Sequence, residues 1–437
     1  MSDLIHIKSL SGGRKFNFAL STGKEVENIE NFTDGLLALA TPRFEFRRIV
    51  VAPGEKIRSG SPIAVSSGFR QELQFSLPYD IEIKNVDYRN KLISFKKESD
   101  WHFFSGNFRE KFISSLLWLE ITDPVTGRAF DPFKMPSNVF ISLFCTQPGG
   151  GKSFSGDIQE MSENAIEVFQ ELGWDEVRIH LLVNQSQIAG NPEFNEKVKV
   201  VVFPDIYPAP DPGILFSKKM IPYGFKDTAI SHAQMDYVTL KKLHQLVGNE
   251  KFKDYTDVEV YNHKKVGTLH MPKWAVVNPF LEVSEKDRII CGGLLTGNEG
   301  CGEFTLQPHQ RSITVIQNPE SREMLQFLRP GFDRDSISPL VASFYVPKSP
   351  RKIHSGLRGE VRMCINCNYC SEICPAGLDP SILWKTSALA SSLEEAQDLG
   401  LKRCMRCGLC SYVCPAKIEL STEIMRFQGV IRSEDQK

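Results

Sequence analysis

The chain has 437 residues, 41% hydrophobic and 24% charged, with a formal net charge of -1 and eleven cysteines. That length exceeds one ordinary core and points to about two to four domains. Near-neutral charge excludes a broad basic field for nucleic acid or anionic lipid. No apolar run is long enough to span a bilayer, and the first residues, MSDLIHIKSLSGGRKF, have no apolar stretch of a secretory signal. A cytosolic protein is expected, one able to dock on a membrane complex.

Residues 1–42 are read as an N-terminal segment. Residues 43–100 carry short alternating stretches, RFEFRRIVV, SPIAVSS, ELQFSLP, IEIKNV and KLISFKK, with turns at Pro53-Gly54 and Ser59-Gly60. The phrase VVAPGEKIRSGSPIA has the form with which barrel-sandwich hybrids of the lipoyl and biotinyl type begin. No lysine stands in a hairpin-tip pattern, so a structural β module is expected rather than a swinging arm.

Residues 101–250 change texture. WHFFSGNFREKFISSLLWLEI reads as helix, while NVFISLF, VRIHLLVN and VKVVVF read as strands. Between the first two strands, Ile158, Ile166, Phe169 and Leu172 form a helical stripe. This βαβ pattern predicts an α/β, Rossmann-like domain with a partly parallel sheet. The loop CTQPGGGKSFSGD, Cys145 to Asp157, lies between strand and helix like a phosphate-binding loop. Gly151-Lys152-Ser153 supplies the end of such a motif, but Thr146 stands where its first glycine belongs. A flexible surface loop is the favoured reading. His232 and His244 fall in a helix-like stretch and read as surface or packing residues.

Residues 251–345 return to short strands, VEVYNHKKVGTLHM, RIICGGLLTG and RSITVIQ, and predict a small β-rich, β-grasp-like domain. Cys291 and Cys301 flank GGLLTGNEG and could approach each other, though free thiols are expected. Residues 346–362, with prolines and basic residues, form the linker to the tail.

The tail holds eight cysteines. MCINCNYCSEICPA at 363–376 and RCMRCGLCSYVCPA at 403–416 are both C-x2-C-x2-C-x3-C-P. This is the bacterial ferredoxin run for a [4Fe–4S] cluster. Three thiolates two residues apart wrap one cubane, and the fourth, before a proline, reaches the neighbouring cluster. The expected ligands are Cys364, Cys367, Cys370 and Cys414 for one cluster, and Cys404, Cys407, Cys410 and Cys374 for the other. Zinc knuckles pair C-x2-C units across a longer loop and do not need three such cysteines in series with Cys-Pro, twice. Asp379-Pro380 is a helix start, and Leu383, Leu389, Leu393 and Ala396 suit apolar helix positions. An α-helical ferredoxin module is expected over residues 363–437. The whole chain is thus read as a multidomain α+β protein.

Four stretches carry a family resemblance: VVAPGEKIRSGSPIA, LLWLEITDPVTGRAFDPFKMPSNVFISLFCTQP, DRIICGGLLTGNEGCGEFTLQPHQRSITVI, where His309 stands, and FLRPGFDRDSIS. Over residues 40–345 the chain resembles the A subunit of the sodium-pumping NADH:quinone oxidoreductase (Nqr). Its tail is similar to that of the C subunit of the Rnf complex, which keeps two cluster motifs. In Rnf-type subunits a glycine-rich loop cradles FMN and an acidic E-C-E-P turn follows the next strand. Here SSLLWLEITDP has no glycine, and bulky Leu116, Leu117 and Trp118 stand in the way. The turn reads Cys145-Thr146-Gln147-Pro148, without its acids. FMN and NADH are therefore not expected on this chain.

The resemblance implies a peripheral electron-transfer subunit of an Nqr- or Rnf-type membrane complex, on the inner face of the cell membrane. It would relay single electrons through two [4Fe–4S] clusters to other subunits. NADH, ubiquinone and sodium-ion transport belong to such a complex as a whole, and a quinone is a candidate ligand. The alternative is a stand-alone flavin- and NADH-dependent iron–sulfur reductase of a soluble acceptor. A zinc-stapled scaffold is the third reading. No catalytic residue follows from the sequence.

Overall fold

The computed structural model describes all residues except 1–3, 11, 17–25, 30–31, 67–71, 189–193, 223–229, 249–250, 263–266, 282, 285–286, 301, 317–360, 389–392 and 435–437. At its centre is a five-stranded, all-parallel sheet. In spatial order its strands are Leu4–His6, Val198–Phe203, Arg178–Asn184, Asn138–Ser142 and His232–Asp236. Parallel sheets bury both faces, so their strands read as unbroken apolar runs such as VKVVVF. On one face Val139, Ile141, Leu181 and Val200 share a core with Met161, Ala165 and Phe169 of the helix Ile158–Glu171 and with Leu240 and Leu243 of the helix Tyr237–Gly248. Asp157 caps the first of these, accepting from Gln159 N at 2.8 Å.

The opposite face has a different cover. Phe140, Leu182, Val201 and Phe203 share a core with Ile214 and Leu215, and with Cys370, Leu378, Leu383, Met405 and Ile424 of the cysteine-rich tail. The tail thus occupies the place of the second helix layer that a parallel sheet requires.

Three further sheets stand beside this one. A six-stranded mixed sheet runs Asn298–Gly300, Arg288–Cys291, Ser312–Ile316, Tyr255–Tyr261, Gly267–Pro272 and Val26–Asn28. A four-stranded sheet contains Asp34–Ala38, Leu92–Lys97, Ile81–Asp87 and Lys56–Ile57, and a three-stranded one Arg48–Ile49, Ala64–Ser66 and Leu73–Phe75. Their alternating burial follows the period-two pattern of the sequence, as in Leu73 and Phe75 inside with Gln74 outside. The described residues among the first 38 contribute one strand to each of three sheets.

Two helix expectations change. The stretch from 101 to 121 forms only the helix Phe108–Ser115, opened by a capping box between Asn107 and Glu110. Leu116 turns left-handed at φ 59° and ends it, and a 3-10 turn Leu117–Leu119 follows. Leu117, Trp118 and Leu119 are fully buried, so packing on all sides replaces the one-faced burial of a surface helix. His232 opens a strand rather than lying in a helix and is buried; His244 is helical and meets Glu167 at 3.0 Å.

The tail contains the helices Tyr369–Glu372, Pro380–Ala388, Leu393–Asp398, Leu409–Val413 and Leu420–Glu434. Asp379 caps the second, its Oδ1 accepting from Ser381 N at 3.2 Å and Ile382 N at 3.3 Å. Leu383 and Ala396 are buried as their spacing predicts; Leu389 lies outside the described residues. So do Cys301, FLRPGFDRDSIS and nearly all of the linker. Among the described residues, no helix is long and apolar enough to cross a membrane.

Candidate metal centre

The two cysteine runs adopt the same backbone path. Positive φ recurs at matching positions: Asn366 (54°) with Arg406 (59°), Asn368 (65°) with Gly408 (76°), and Gly377 (61°) with Lys417 (59°). Each pair of left-handed residues turns the chain at the same place in its run. For Arg406 and Lys417 the conformation costs about 1–2 kcal/mol each. Residues in sparsely populated backbone regions persist where surrounding structure enforces them, often at functional sites.

Cys374 from the first run and Cys404, Cys407 and Cys410 from the second line one cavity of about 430 Å3, including space that opens to solvent. Pro375, Leu378, Leu383, Leu409 and Ile424 supply apolar wall. Burial pushes the Cys407 thiol well above its ordinary range, and nearby Cys404, Cys410 and Cys374 push it further. Cys410 is raised by burial and by Cys404 and Cys374, and Cys404 by burial with a smaller push from Cys374. Thiols that line one cavity with apolar walls resist ionisation unless a cationic centre takes the charge. A thiolate-only iron–sulfur cluster meets that need, so the donor set fits such a group. The Leu378 amide donates to Cys374 Sγ at 3.4 Å, a bond of the kind that tunes cluster potential.

The other four cysteines are no more exposed: of the eight, Cys370 and Cys414 are buried and the remaining six are intermediate. Cys370 and Cys414 are buried in the shared core, with Cys364 packed against it. Cys364 and Cys367 are partly exposed. Among the described residues no three His, Cys, Asp or Glu side chains converge on a point for a single ion.

The second run is pressed against the rest of the chain. Tyr207 Oη donates to the Cys407 carbonyl at 2.6 Å. Arg406 donates to the carbonyls of Pro124 at 3.1 Å and Val125 at 3.4 Å. A Cβ on Gly408 would lie 2.5 Å from the Leu295 carbonyl oxygen, so only glycine allows that approach. At the end of the first run Gly13 N donates to Ile373 O at 3.0 Å, and a Cβ on Gly12 would lie 2.4 Å from the same oxygen. Sequence reading missed Gly12, Gly13 and Tyr207; the Gly-Gly pair was the available signal.

The glycine loop is anchored rather than free. Lys152 Nζ pairs with Glu259 Oε1 at 2.7 Å and donates to Thr268 at 3.1 Å. Cys145 N donates to Ser153 Oγ, Leu294 N to Pro148 O, and Ser312 Oγ to Gly149 O. The loop thereby ties the parallel sheet to the six-stranded one.

A buried charge network lies nearby, and nothing in the sequence pattern announced it. Glu120 is fully buried, with Lys242 Nζ at 3.0 Å, Lys273 Nζ at 3.1 Å and Arg311 Nη2 at 2.5 Å. Asp254 faces both lysines and Asp236 meets Arg311. Despite burial, which raises it, the three cations hold Glu120 well below the ordinary carboxylate range. His309, in the same region, is buried and pushed well below 6.5 by desolvation and then by Arg43 and Arg311.

Comparison with known proteins bears on parts of the chain. Residues 363–418 match the 4Fe-4S dicluster domain family. The chain is 27% identical over 127 residues to the A subunit of the Na(+)-translocating NADH-quinone reductase of Rhodopirellula baltica. That stretch is 28% of this chain and 26% of that protein. The chain therefore combines a 4Fe-4S ferredoxin domain at its C-terminal end with a distant homology to that protein, which together support an electron-transfer role.

Proposed function

We propose that the protein is a peripheral electron-transfer subunit of an Nqr- or Rnf-type NADH:quinone oxidoreductase complex. Its two [4Fe–4S] sites would be Cys364, Cys367, Cys370 with Cys414, and Cys404, Cys407, Cys410 with Cys374. Bound clusters supply one-electron oxidation and reduction. The observation that carries the reading is the cavity where Cys374 joins the three thiols of the other run. The remaining residues position and shield: Tyr207, Arg406 and Gly408 fix the second run against the body, and Leu383 and Ile424 exclude water. On this reading the body consists of a barrel-sandwich hybrid over 43–100, a Rossmann-like unit over 101–250 and a β-grasp-like unit over 251–345. It works at the inner membrane face beside other subunits, without FMN or NADH of its own.

The test is anaerobic purification followed by assays for iron, sulfide, zinc and flavin, and EPR after reduction. About eight irons per chain without flavin supports the proposal. Stoichiometric FMN bleached by NADH would favour the stand-alone reductase instead. Zinc without iron would sink both.

A further inference from the structure

The chain that follows the strand Leu4–His6 reaches both cysteine runs. Ile7 N donates to Val202 O at 2.8 Å and keeps the chain beside the parallel sheet. Further on, Arg14 N donates to Tyr207 O at 2.9 Å and Tyr207 N to Arg14 O at 3.0 Å. Lys15 Nζ meets Asp205 Oδ2 at 2.8 Å. Residues 12–16 thus lie on the body as a strap.

The strap meets the first run at Cys374. Gly13 N donates to Ile373 O at 3.0 Å, and Cys374 N donates to Ser371 O at 3.2 Å. That carbonyl and that amide belong to one rigid peptide plane, so the plane leading into Cys374 is held at both ends. Gly377 N also donates to Cys374 O at 3.2 Å. The bonds inside the run recur in the second one: Cys414 N donates to Ser411 O at 3.3 Å, and Lys417 N to Cys414 O at 3.1 Å. The bond from Gly13 comes from outside the repeat. The approach requires glycine twice. A Cβ on Gly12 would lie 2.4 Å from Ile373 O and 2.9 Å from the Cys374 carbonyl carbon. One on Gly13, at φ 99°, would lie 2.5 Å from Tyr207 O.

Phe16 meets the second run. Its ring stands edge-on to Tyr412 at 5.1 Å and to Tyr207 at 6.0 Å. With Cys407 and Val413 it packs against a small core of Tyr207, Ile373 and Leu409. One strap therefore holds backbone that carries Cys374 and packs beside Cys407, and these two cysteines line the same cavity.

We propose that Gly12, Gly13 and Phe16 are positioning residues for the centre of Cys374, Cys404, Cys407 and Cys410. The strap clamps the two runs in the register at which the fourth thiol joins the other three. The inference rests on the iron–sulfur reading above. It makes the opposite end of the chain a working part of that centre, so the cysteine-rich tail does not hold it unaided. Groups that orient metal ligands from behind govern how firmly the metal is kept.

The test compares the full chain, loaded anaerobically, with its Gly12→Ala, Phe16→Ala and Phe16→Tyr variants. EPR follows the two centres separately, their signals assigned through Cys374→Ser and Cys414→Ser. The readouts are the midpoint potential of each centre and the rate at which each signal decays in bathophenanthroline disulfonate, an iron chelator. In Gly12→Ala and Phe16→Ala the signal of the Cys374 centre should decay about tenfold faster, with a shifted potential. The other centre should keep its wild-type values. Phe16→Tyr keeps the ring and should behave as the wild type does. A lower melting temperature with both potentials and both decay rates unchanged overturns the proposal, since the strap is then structural only. Equal acceleration at both centres also overturns it, since the strap then supports the tail as a whole. If Gly12→Ala does not fold, Phe16→Ala decides alone, because that side chain is only partly buried. A wild-type protein that takes up no iron sinks the iron–sulfur reading itself, a failure seen before any variant is compared.

Discussion

Tyr207 and Cys407, 200 positions apart in the chain, are joined by a 2.6 Å hydrogen bond from the phenol to the cysteine carbonyl. Burial, with smaller pushes from Cys407 and Asp211, holds the phenol well above its ordinary range, so it stays a donor at working pH. Tyr207→Phe leaves a buried carbonyl without this partner and should cost about 1–2 kcal/mol in denaturant titrations. It should also lower the reduction potential of the centre held by Cys407, read by EPR-monitored titration. An unchanged potential would mean that the bond is structural only.

The proposed crossed arrangement of cysteines separates two substitutions. Cys374→Ser should disturb the centre of Cys404, Cys407 and Cys410 and spare that of Cys364, Cys367 and Cys370. Cys414→Ser should do the reverse. Iron should fall from about eight to about four per chain in each case, with different EPR signals surviving. Loss of the same signal in both variants would remove the crossed assignment.

Lys152 is held by Glu259, whose carboxylate is nearly buried while the lysine is half exposed. Lys152→Met should cost about 1–2 kcal/mol, less than a fully buried pair because solvent screens the lysine. Magnesium ATP should leave the melting temperature of both proteins unchanged. Protection of the wild type alone would restore the phosphate-loop reading.

Acid should weaken the fold in two stages. Burial lowers His180 from 6.5 to about 4, and His232 and His309 are lowered as well. Such groups bind protons more readily when unfolded, so their contribution is complete above about pH 6.5 and declines as pH falls toward the folded value. His180 alone should remove about 2 kcal/mol between pH 6.5 and pH 5. Below about pH 4.5 Glu120 follows, because its folded value is depressed too. Urea midpoints at pH 7, 6 and 5 measure the first stage. His180→Gln should flatten that slope, and a wild-type midpoint constant from pH 7 to 5 would refute the assignment.

The elements that were legible are those whose pattern is local. VKVVVF, the alternation through residues 73–75 and the Asp379-Pro380 helix start each state their structure within a few residues. Leu116 to Leu119 were misread as helix because their burial comes from distant residues, which a short apolar run does not specify. Glu120 gave no signal for the same reason: its partners Lys242, Lys273 and Arg311 are far along the chain.

By itself the sequence determined the kind of domain at the C-terminal end, because eight cysteines in two runs of fixed short spacing mark a 4Fe-4S tail. Only the tertiary structure decided where that chemistry sits. A parallel sheet must cover both faces, and here the second cover is the cysteine-rich tail. That packing presses one run against Tyr207 and Leu295 and leaves Val361, Met363 and Ile365 of the other at the surface. Two nearly identical motifs thereby acquire different surroundings, and spacing along the chain carries no information about which will face inward.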